Sequence, residues 1–140
     1  NNSSRFEDRW VTLQADPASP CVWTRGLDRL EVPVRQGEGK FIPRDAQLLA
    51  ELEQAGQVPL RYVRPNGTTA GGAFPYNPNG SAGDVAGLCD PSGRIFGLMP
   101  HPEAFLYRTN HPRWTREALP EEGAGLQLFR NAVDYAMSEV

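Results

Sequence analysis

The alternation of apolar and polar positions predicts a chain in which strands outnumber helices early on. Residues 5–14 combine aromatic and β-branched side chains with partial alternation, which is typical of a strand. The same criteria predict further strands at residues 21–24, 30–34, 58–63, 84–89 and 94–98. Because these elements do not make a complete βαβ-wound domain, we expect a sheet whose other strands lie elsewhere.

Apolar positions recur at helical spacing in two segments. The first follows Asp45, a residue type that favours the N-cap, and ends at Gly56. The second occupies residues 125–140. The spacing predicts these inward-facing positions: Leu48, Leu49, Leu52 and Ala55 in the first helix, and Phe129, Ala132, Val133, Ala136, Met137 and Val140 in the second.

A long segment between two predicted strands has the composition of a loop. Residues 64–83 are dense in glycine, proline and asparagine, which favour turns over helices and strands. Loops of this length without secondary structure are uncommon in compact domains, so we expect this one to have a functional role.

Composition and charge exclude several classes of partner. The 140 residues suffice for one domain with a buried core, and the net charge of −3 without a basic block argues against a nucleic-acid partner. No apolar run reaches the length of a membrane span, so we expect no membrane partner. Two cysteines, Cys21 and Cys89, make no disulfide framework, and a cytoplasmic location is therefore expected.

A histidine and a glutamate lie two residues apart in the run GLMPHPE at residues 97–103. The two prolines restrict the backbone and favour an extended segment, in which His101 and Glu103 point to the same face. The Glu103 carboxylate then accepts the ring proton of His101 and leaves the other nitrogen free to act as a base. This pattern fits two parts of a nucleophilic triad, and it fits a hydrogen-bonded structural histidine equally well.

Cys89 is the obvious candidate nucleophile, but its surroundings disfavour that role. The run GLC at residues 87–89 begins like a nucleophile elbow, yet Pro91 stands where the motif requires its second glycine, and no helix follows. Nothing nearby in the sequence therefore lowers the pKa of the thiol. We interpret Cys89 and Cys21 as buried structural residues, and no spacing of histidines, cysteines and carboxylates resembles a metal site.

Gly37, Glu38 and Gly39 form a short glycine-containing segment after a predicted strand. Such a turn can present backbone N–H groups to an anionic or carboxamide ligand. The same residues also fit an ordinary turn, and the spacing does not separate the two interpretations.

Four segments of the chain carry a family resemblance. They are PVRQGEGKF at residues 33–41, PYNPNGS at 75–81, AGLCDPSGR at 86–94 and GLMPHPE at 97–103. Together they resemble the glutaminase (glutamine amidotransferase) component of phosphoribosylformylglycinamidine synthase, from purine biosynthesis. The NPNGS and MPHPE runs are specific, and the resemblance extends from the first strand to the closing helix.

The resemblance implies an α/β fold of the class I glutamine amidotransferases, which have a Cys-His-Glu triad on a flavodoxin-like sheet. His101 matches the base of the triad, Glu103 matches its orienter, and Gly37, Glu38 and Gly39 match a turn beside bound glutamine. The implied reaction hydrolyses glutamine and supplies ammonia to a partner synthetase subunit or domain, which uses ATP to amidinate formylglycinamide ribonucleotide. We expect no cofactor and no metal.

Two departures from the family matter. Gln36 stands where the family commonly has histidine, and the family's nucleophile lies upstream of the first strand, before Asn1. Residues 1–140 are therefore expected to be the C-terminal half of a single glutaminase domain, with an incomplete sheet and no activity without the missing cysteine. Two alternatives stay open: a catalytically silent binding module of the same fold, and a self-contained thiol hydrolase that uses Cys89 with His101 and Glu103.

Overall fold

The computed structural model describes residues 1–138, so the predicted helical position Val140 lies outside the described residues. Within residues 1–138 the α-helices and strands are β1 Glu7–Ala15, β2 Arg29–Gln36, α1 Ala46–Gln54, β3 Leu60–Val63, β4 Val85–Cys89, β5 Phe96–Leu98 and α2 Leu126–Ser138. The α/β class is confirmed. The strands predicted at residues 5–14, 30–34, 58–63, 84–89 and 94–98 are also confirmed, with their ends shifted by one or two residues.

The strands form one sheet in the order β2-β1-β3-β4-β5, and each neighbouring pair is antiparallel. Along β1, Val11, Leu13 and Ala15 are buried and alternate with more exposed positions. Leu13 lies opposite Leu30 of β2 and Tyr62 of β3, so the apolar face continues across the central strands. The buried cluster consists of Val11, Leu13, Ala15, Leu30, Val32, Val34, Leu60, Tyr62, Ala70, Ala86 and Leu128.

The sheet is strongly curled, because its two edges come close together. In a flat sheet, β2 and β5 would lie about 19 Å apart, since neighbouring strands are spaced by about 4.8 Å. His101 follows the end of β5 by three residues, which span at most about 10 Å. It donates its backbone N–H to the carbonyl oxygen of Pro33 in β2 at 2.8 Å. Residues 99–105, called the closure segment below, therefore connect the two edges of the sheet.

The first helix begins where the sequence predicts, although it is less buried than expected. The Asp45 side chain accepts the backbone N–H of Leu48 at 2.8 Å and caps α1. Three predicted inward positions are half-buried, whereas Ala55 is exposed and its assignment was wrong. No helix among residues 1–138 is long and apolar enough to cross a membrane.

The strand predicted at residues 21–24 is wrong, because Val22–Thr24 forms a single 3-10 turn. The backbone N–H of Thr24 donates to Cys21 at 3.3 Å, while that of Val22 donates to Gly93 at 3.0 Å. The segment therefore bonds within itself and to Gly93 in the turn between β4 and β5, instead of pairing with a strand. It packs against α2, where the Asn131 side chain donates to the carbonyl oxygen of Trp23 at 2.9 Å.

The predicted inward face of α2 is also wrong, except at Ala132, which is half-buried; Ala136 is exposed. Phe129, Val133 and Met137 are 38%, 56% and 76% exposed, whereas Leu128 is buried. Helix α2 contacts the turn at Val22–Thr24 through a face that includes Asn131, and this rotates the predicted apolar face away from the core. The three exposed side chains lie four residues apart on one face and are called the α2 stripe below.

The loop at residues 64–83 is confirmed, and Asp84 holds it against the sheet. The Asp84 carboxylate accepts hydrogen bonds from the backbone N–H groups of Gly71 and Gly72, from the Thr69 hydroxyl and from the Asn77 amide. Burial acts to raise the pKa of Asp84, but these four donors outweigh it and hold the pKa below its ordinary value. The loop therefore depends on an ionised carboxylate.

We expect Asp84→Asn to destabilise the fold by about 2–3 kcal/mol, because the new amide faces donors with an N–H₂ group. Since the folded-state pKa of Asp84 is lowered, its stabilisation is complete above the unfolded-state pKa and is lost as the pH falls through the folded-state pKa. Chemical denaturation of wild type and variant at pH 7 and pH 3 measures both effects. The exposed Asp28→Asn is the control, and a pH-independent difference between wild type and Asp84→Asn would contradict this role.

Candidate active site

The backbone around His101 forms a turn, and the prediction of an extended segment is wrong. Pro102–Ala104 is a single 3-10 turn, in which the Ala104 N–H donates to His101 at 3.1 Å and the Phe105 N–H donates to Pro102 at 3.0 Å. Proline suits the first position of such a turn, since its φ is already fixed and no N–H is left unpaired. The two prolines still restrict the segment, but they favour a turn here.

A glycine behind this turn allows the chain to approach it closely. The N–H of Gly125 donates to the carbonyl oxygen of Phe105 at 3.0 Å. A Cβ atom at Gly125 would lie 1.9 Å from the carbonyl oxygen of Pro102, so only glycine fits without a backbone shift. The start of α2 is thereby fixed against the closure segment.

The side chains of His101 and Glu103 make the predicted contact. The Nδ1 atom of His101 lies 2.6 Å from Oε1 of Glu103. Because an ionised carboxylate only accepts hydrogen bonds, this contact requires the proton on Nδ1 and leaves Nε2 as an acceptor in the neutral ring. Both side chains are partly exposed, so solvent reaches the pair. The catalytic role of the pair stays a prediction.

An open cavity of about 230 Å³ lies beside the pair. It extends from the closure segment to α2, and its walls are mostly apolar. The lining residues are Trp23, Phe96, Leu98, Pro100, His101, Pro102, Glu103, Leu128 and Phe129. Phe129 belongs to both this cavity and the α2 stripe, so the two surfaces are continuous.

Neither cysteine has the surroundings of a nucleophile. Cys89 is buried in β4 with its sulfur 3.8 Å from the Ser19 hydroxyl, and Cys21 is buried beside it. Burial raises the pKa of the Cys89 thiol, which is the opposite of activation. Among the described residues, those that line the cavity beside His101 include no cysteine.

The predicted substrate turn follows β2, the strand that anchors His101. Gly37 and Glu38 are exposed, while Gly39 is buried. Pro33 and Gly37 are four residues apart in extended chain, or about 13 Å. The described contacts do not bring Gly37, Glu38 or Gly39 to the cavity beside His101, so their role in binding stays a prediction.

Sequence reasoning missed a set of buried polar side chains beneath this turn. Asn77, Asn79, Ser81 and Asp84 are buried, and Gln36 joins them from the end of β2. The density of asparagine and serine in residues 75–81 was the available signal, since buried polar groups need specific partners. In the part of the chain that the structure describes, no three histidine, cysteine or carboxylate side chains group as metal ligands.

Comparison with known proteins assigns the family. Residues 1–136 match the model of the CobB/CobQ-like glutamine amidotransferase domain. The chain belongs to this family. It is 46% identical over 136 residues to the phosphoribosylformylglycinamidine synthase subunit PurQ of Dehalococcoides mccartyi. It is 40% identical over 145 residues to the subunit of the same name from Methanococcus maripaludis. The resemblance drawn from the four sequence segments is confirmed.

This glutamine amidotransferase chain spans about half the length of the curated relatives it matches. The two alignments cover 97% and 96% of the chain, but 51% and 53% of the relatives. A chain in the structure of PurLQS from Thermotoga maritima matches with a TM-score of 0.65 at 24% identity. That match covers 97% of this chain and 50% of the other, and it supports the fold alone.

Replacing Glu103 by Gln keeps the shape of the side chain, replaces the charged acceptor with a weaker, neutral one, and adds an N–H₂ group that can donate to Nδ1. We expect the neutral ring of His101 to be mainly the Nδ1–H tautomer in the wild type and mainly the Nε2–H tautomer in Glu103→Gln. Nitrogen-15 NMR of labelled histidine distinguishes these tautomers. Glu121→Gln, an exposed glutamate paired with Arg108, is the matched control. A wild-type ring in the Nε2–H form would contradict the orienting role.

Proposed function

We propose that this chain is the C-terminal half of a glutaminase domain that hydrolyses glutamine through a Cys-His-Glu triad. The observation that carries the proposal is the 2.6 Å contact between His101 Nδ1 and Glu103 Oε1, at the edge of an open cavity in a glutamine amidotransferase chain. His101 is the base in this proposal. Glu103 orients its ring and stabilises the imidazolium that forms.

The proposed reaction begins when Nε2 of His101 takes the proton of a cysteine thiol, and the thiolate attacks the side-chain carboxamide carbon of glutamine. Backbone N–H groups stabilise the oxyanion of the tetrahedral intermediate. Protonated His101 then gives its proton to the departing nitrogen, ammonia leaves, and a glutamyl thioester remains. Water, deprotonated by His101, hydrolyses the thioester to glutamate and restores the thiol.

The nucleophile of this reaction is assigned to a cysteine outside residues 1–140. Two observations support this assignment. The thiol of Cys89 is buried with a raised pKa, and the chain spans only about half of its relatives. The cavity beside His101 is open to solvent, which leaves room for a thiol to approach the ring. A self-contained thiol hydrolase based on Cys89 is accordingly disfavoured.

The same proposal supplies a cover for the α2 stripe. A complementary half of the domain, equal in length to the part of the relatives that this chain does not match, packs on Phe129, Val133 and Met137. Three exposed apolar side chains on one helical face are costly in water, and they continue into the cavity beside His101. The completed domain is the flavodoxin-like α/β domain of the class I amidotransferases.

The proposed destination of the ammonia is a synthetase subunit or domain that uses ATP to convert formylglycinamide ribonucleotide into its amidine in purine biosynthesis. Support comes from the relatives, which are named as subunits of phosphoribosylformylglycinamidine synthase. A cytoplasmic location, glutamine as the substrate, and the absence of nucleic-acid or membrane partners belong to the same proposal.

In the full-length protein expressed from the complete gene, we expect His101→Asn to lower kcat for glutamine hydrolysis by about 10³-fold or more, with KM within about threefold. Loss of the base affects the chemical step, whereas glutamine binding relies on other groups. Release of glutamate from glutamine measures the effect in the presence of the synthetase.

The control variant is Cys89→Ala, which is expected to keep activity within about threefold. Loss of activity in Cys89→Ala at unchanged stability would instead favour a self-contained thiol hydrolase that uses Cys89. A wild type that does not hydrolyse glutamine, with or without the synthetase, would favour a catalytically silent binding module.

We expect Val133→Asp to destabilise the full-length protein by about 2–4 kcal/mol, because the proposed cover would bury an unpaired carboxylate. Thermal and denaturant unfolding measure the change. Gln127→Asp, at an exposed polar position on the same helix, is the matched control. Equal, small effects of the two substitutions would show that the α2 stripe is open to water and would contradict the complementary half.

A further inference from the structure

Gln36 is the last residue of β2 and directly precedes the Gly37-Glu38-Gly39 turn. Its side-chain amide nitrogen Nε2 lies 2.5 Å from Oδ1 of Asn79 and donates to it. Asn79 is completely buried in the loop that Asp84 anchors. A hydrogen bond between residues 43 positions apart therefore ties the end of the strand to the loop.

The side chain of Gln36 also lies directly beneath Gly39. A Cβ atom at Gly39 would come within 2.0 Å of Nε2 and 2.3 Å of Cδ of Gln36. The backbone of Gly39 does not have a positive φ, so glycine is favoured here for space: a larger residue would displace the Gln36 side chain. The Gln36 carboxamide therefore occupies the volume that any other side chain at position 39 would fill.

A closed ring of hydrogen bonds fixes the direction in which Gln36 must donate. The amide of Asn79 donates to Oδ1 of Asn1 at 2.6 Å, and the same oxygen accepts the backbone N–H of Gly39 at 2.9 Å. The amide nitrogen of Asn1 donates to the carbonyl oxygen of Gln36 at 2.9 Å. Because each oxygen in the ring accepts and each amide donates, Gln36 is required as a donor to Asn79.

The far end of the turn is held by the same loop. Ser81 accepts the backbone N–H of Phe41 at 3.0 Å through its hydroxyl oxygen, and Ala82 donates to the carbonyl oxygen of Phe41 at 3.1 Å. The turn is thus fixed on both sides, by Gln36 and Asn79 before it and by Ser81 after it. Exposed Gly37 and Glu38 are left between these two anchors.

We infer that Gln36 is a positioning residue for glutamine: through Asn79 and Gly39 it sets the backbone of the Gly37-Glu38-Gly39 turn, in which the exposed Gly37 and Glu38 receive the polar end of the substrate through their N–H groups. The inference rests on the proposed function and adds to it that this turn is the glutamine site. Gln36 does not touch the reacting atoms. Its removal should therefore weaken substrate binding and leave the chemical step intact.

The test compares Gln36→Leu with Gln14→Leu in the full-length protein with its synthetase. Leucine keeps much of the volume but cannot donate. Gln14 is the matched control. It lies in β1, at the end farthest from Gln36, and it likewise donates from Nε2, to Asp28 at 2.8 Å. Gln36→Glu, which keeps the shape and removes the donor, is the second variant if Gln36→Leu does not fold.

We expect Gln36→Leu to raise KM for glutamine about tenfold with kcat within about twofold, while Gln14→Leu changes neither. Amide hydrogen exchange of residues 37–41, followed by mass spectrometry, should accelerate about tenfold in Gln36→Leu only. A purely structural role would instead lower thermal stability and accelerate exchange throughout the sheet.

Exchange at residues 37–41 that matches the control would overturn the inference, whatever the kinetics. Faster local exchange with unchanged KM would also overturn it, because the turn would then be positioned by Gln36 but would not bind glutamine. An inactive wild type refutes the proposed function instead, and the exchange rates then still decide whether Gln36 sets the turn.

Discussion

The backbone hydrogen bond from His101 to Pro33 closes the sheet, and the position of the candidate site follows from it. This 2.8 Å contact links the segment directly after β5 to β2 at the opposite edge, and His111 and Arg113 farther along the chain lie 3.4 and 3.3 Å from the Glu31 carboxylate of β2. Proline is tolerated at position 33 because a residue in an edge strand can lack an N–H and still accept a hydrogen bond through its carbonyl oxygen. The closure places the His101 ring at the rim of the curled sheet, beside α2, where its Nδ1 atom lies 2.6 Å from Oε1 of Glu103.

A second constraint lies at the C-terminal end of β2, three residues after Pro33, where buried polar groups link the strand to the long loop. The Asp84 carboxylate accepts hydrogen bonds from the loop, and Asn79 of the loop accepts a hydrogen bond from Gln36. Such networks are stabilising only when every member is satisfied, so they specify one arrangement of the chain. The same strand therefore fixes the proposed base through Pro33 and the proposed substrate turn through Gln36.

Local patterns predicted what is locally determined, namely five strands, the loop and the Asp45 cap. They did not predict features that depend on distant partners. The turn at Pro102–Ala104 is supported by the close approach of Gly125, and the buried face of α2 is set by the Val22–Thr24 segment. The contact between His101 and Glu103 was predictable because it is formed within three residues. No periodicity in the sequence indicates the hydrogen bond from Gln36 to Asn79.

The roles proposed for His101 and Glu103 require a nucleophilic cysteine outside residues 1–140. A crystal structure of the full-length protein after reaction with an electrophilic glutamine analogue would locate that cysteine. We expect an adduct on a cysteine outside residues 1–140, with its sulfur within about 4 Å of His101 Nε2 and with Glu103 still in contact with Nδ1. An adduct on Cys89, or a sulfur more than about 6 Å from Nε2, would contradict it.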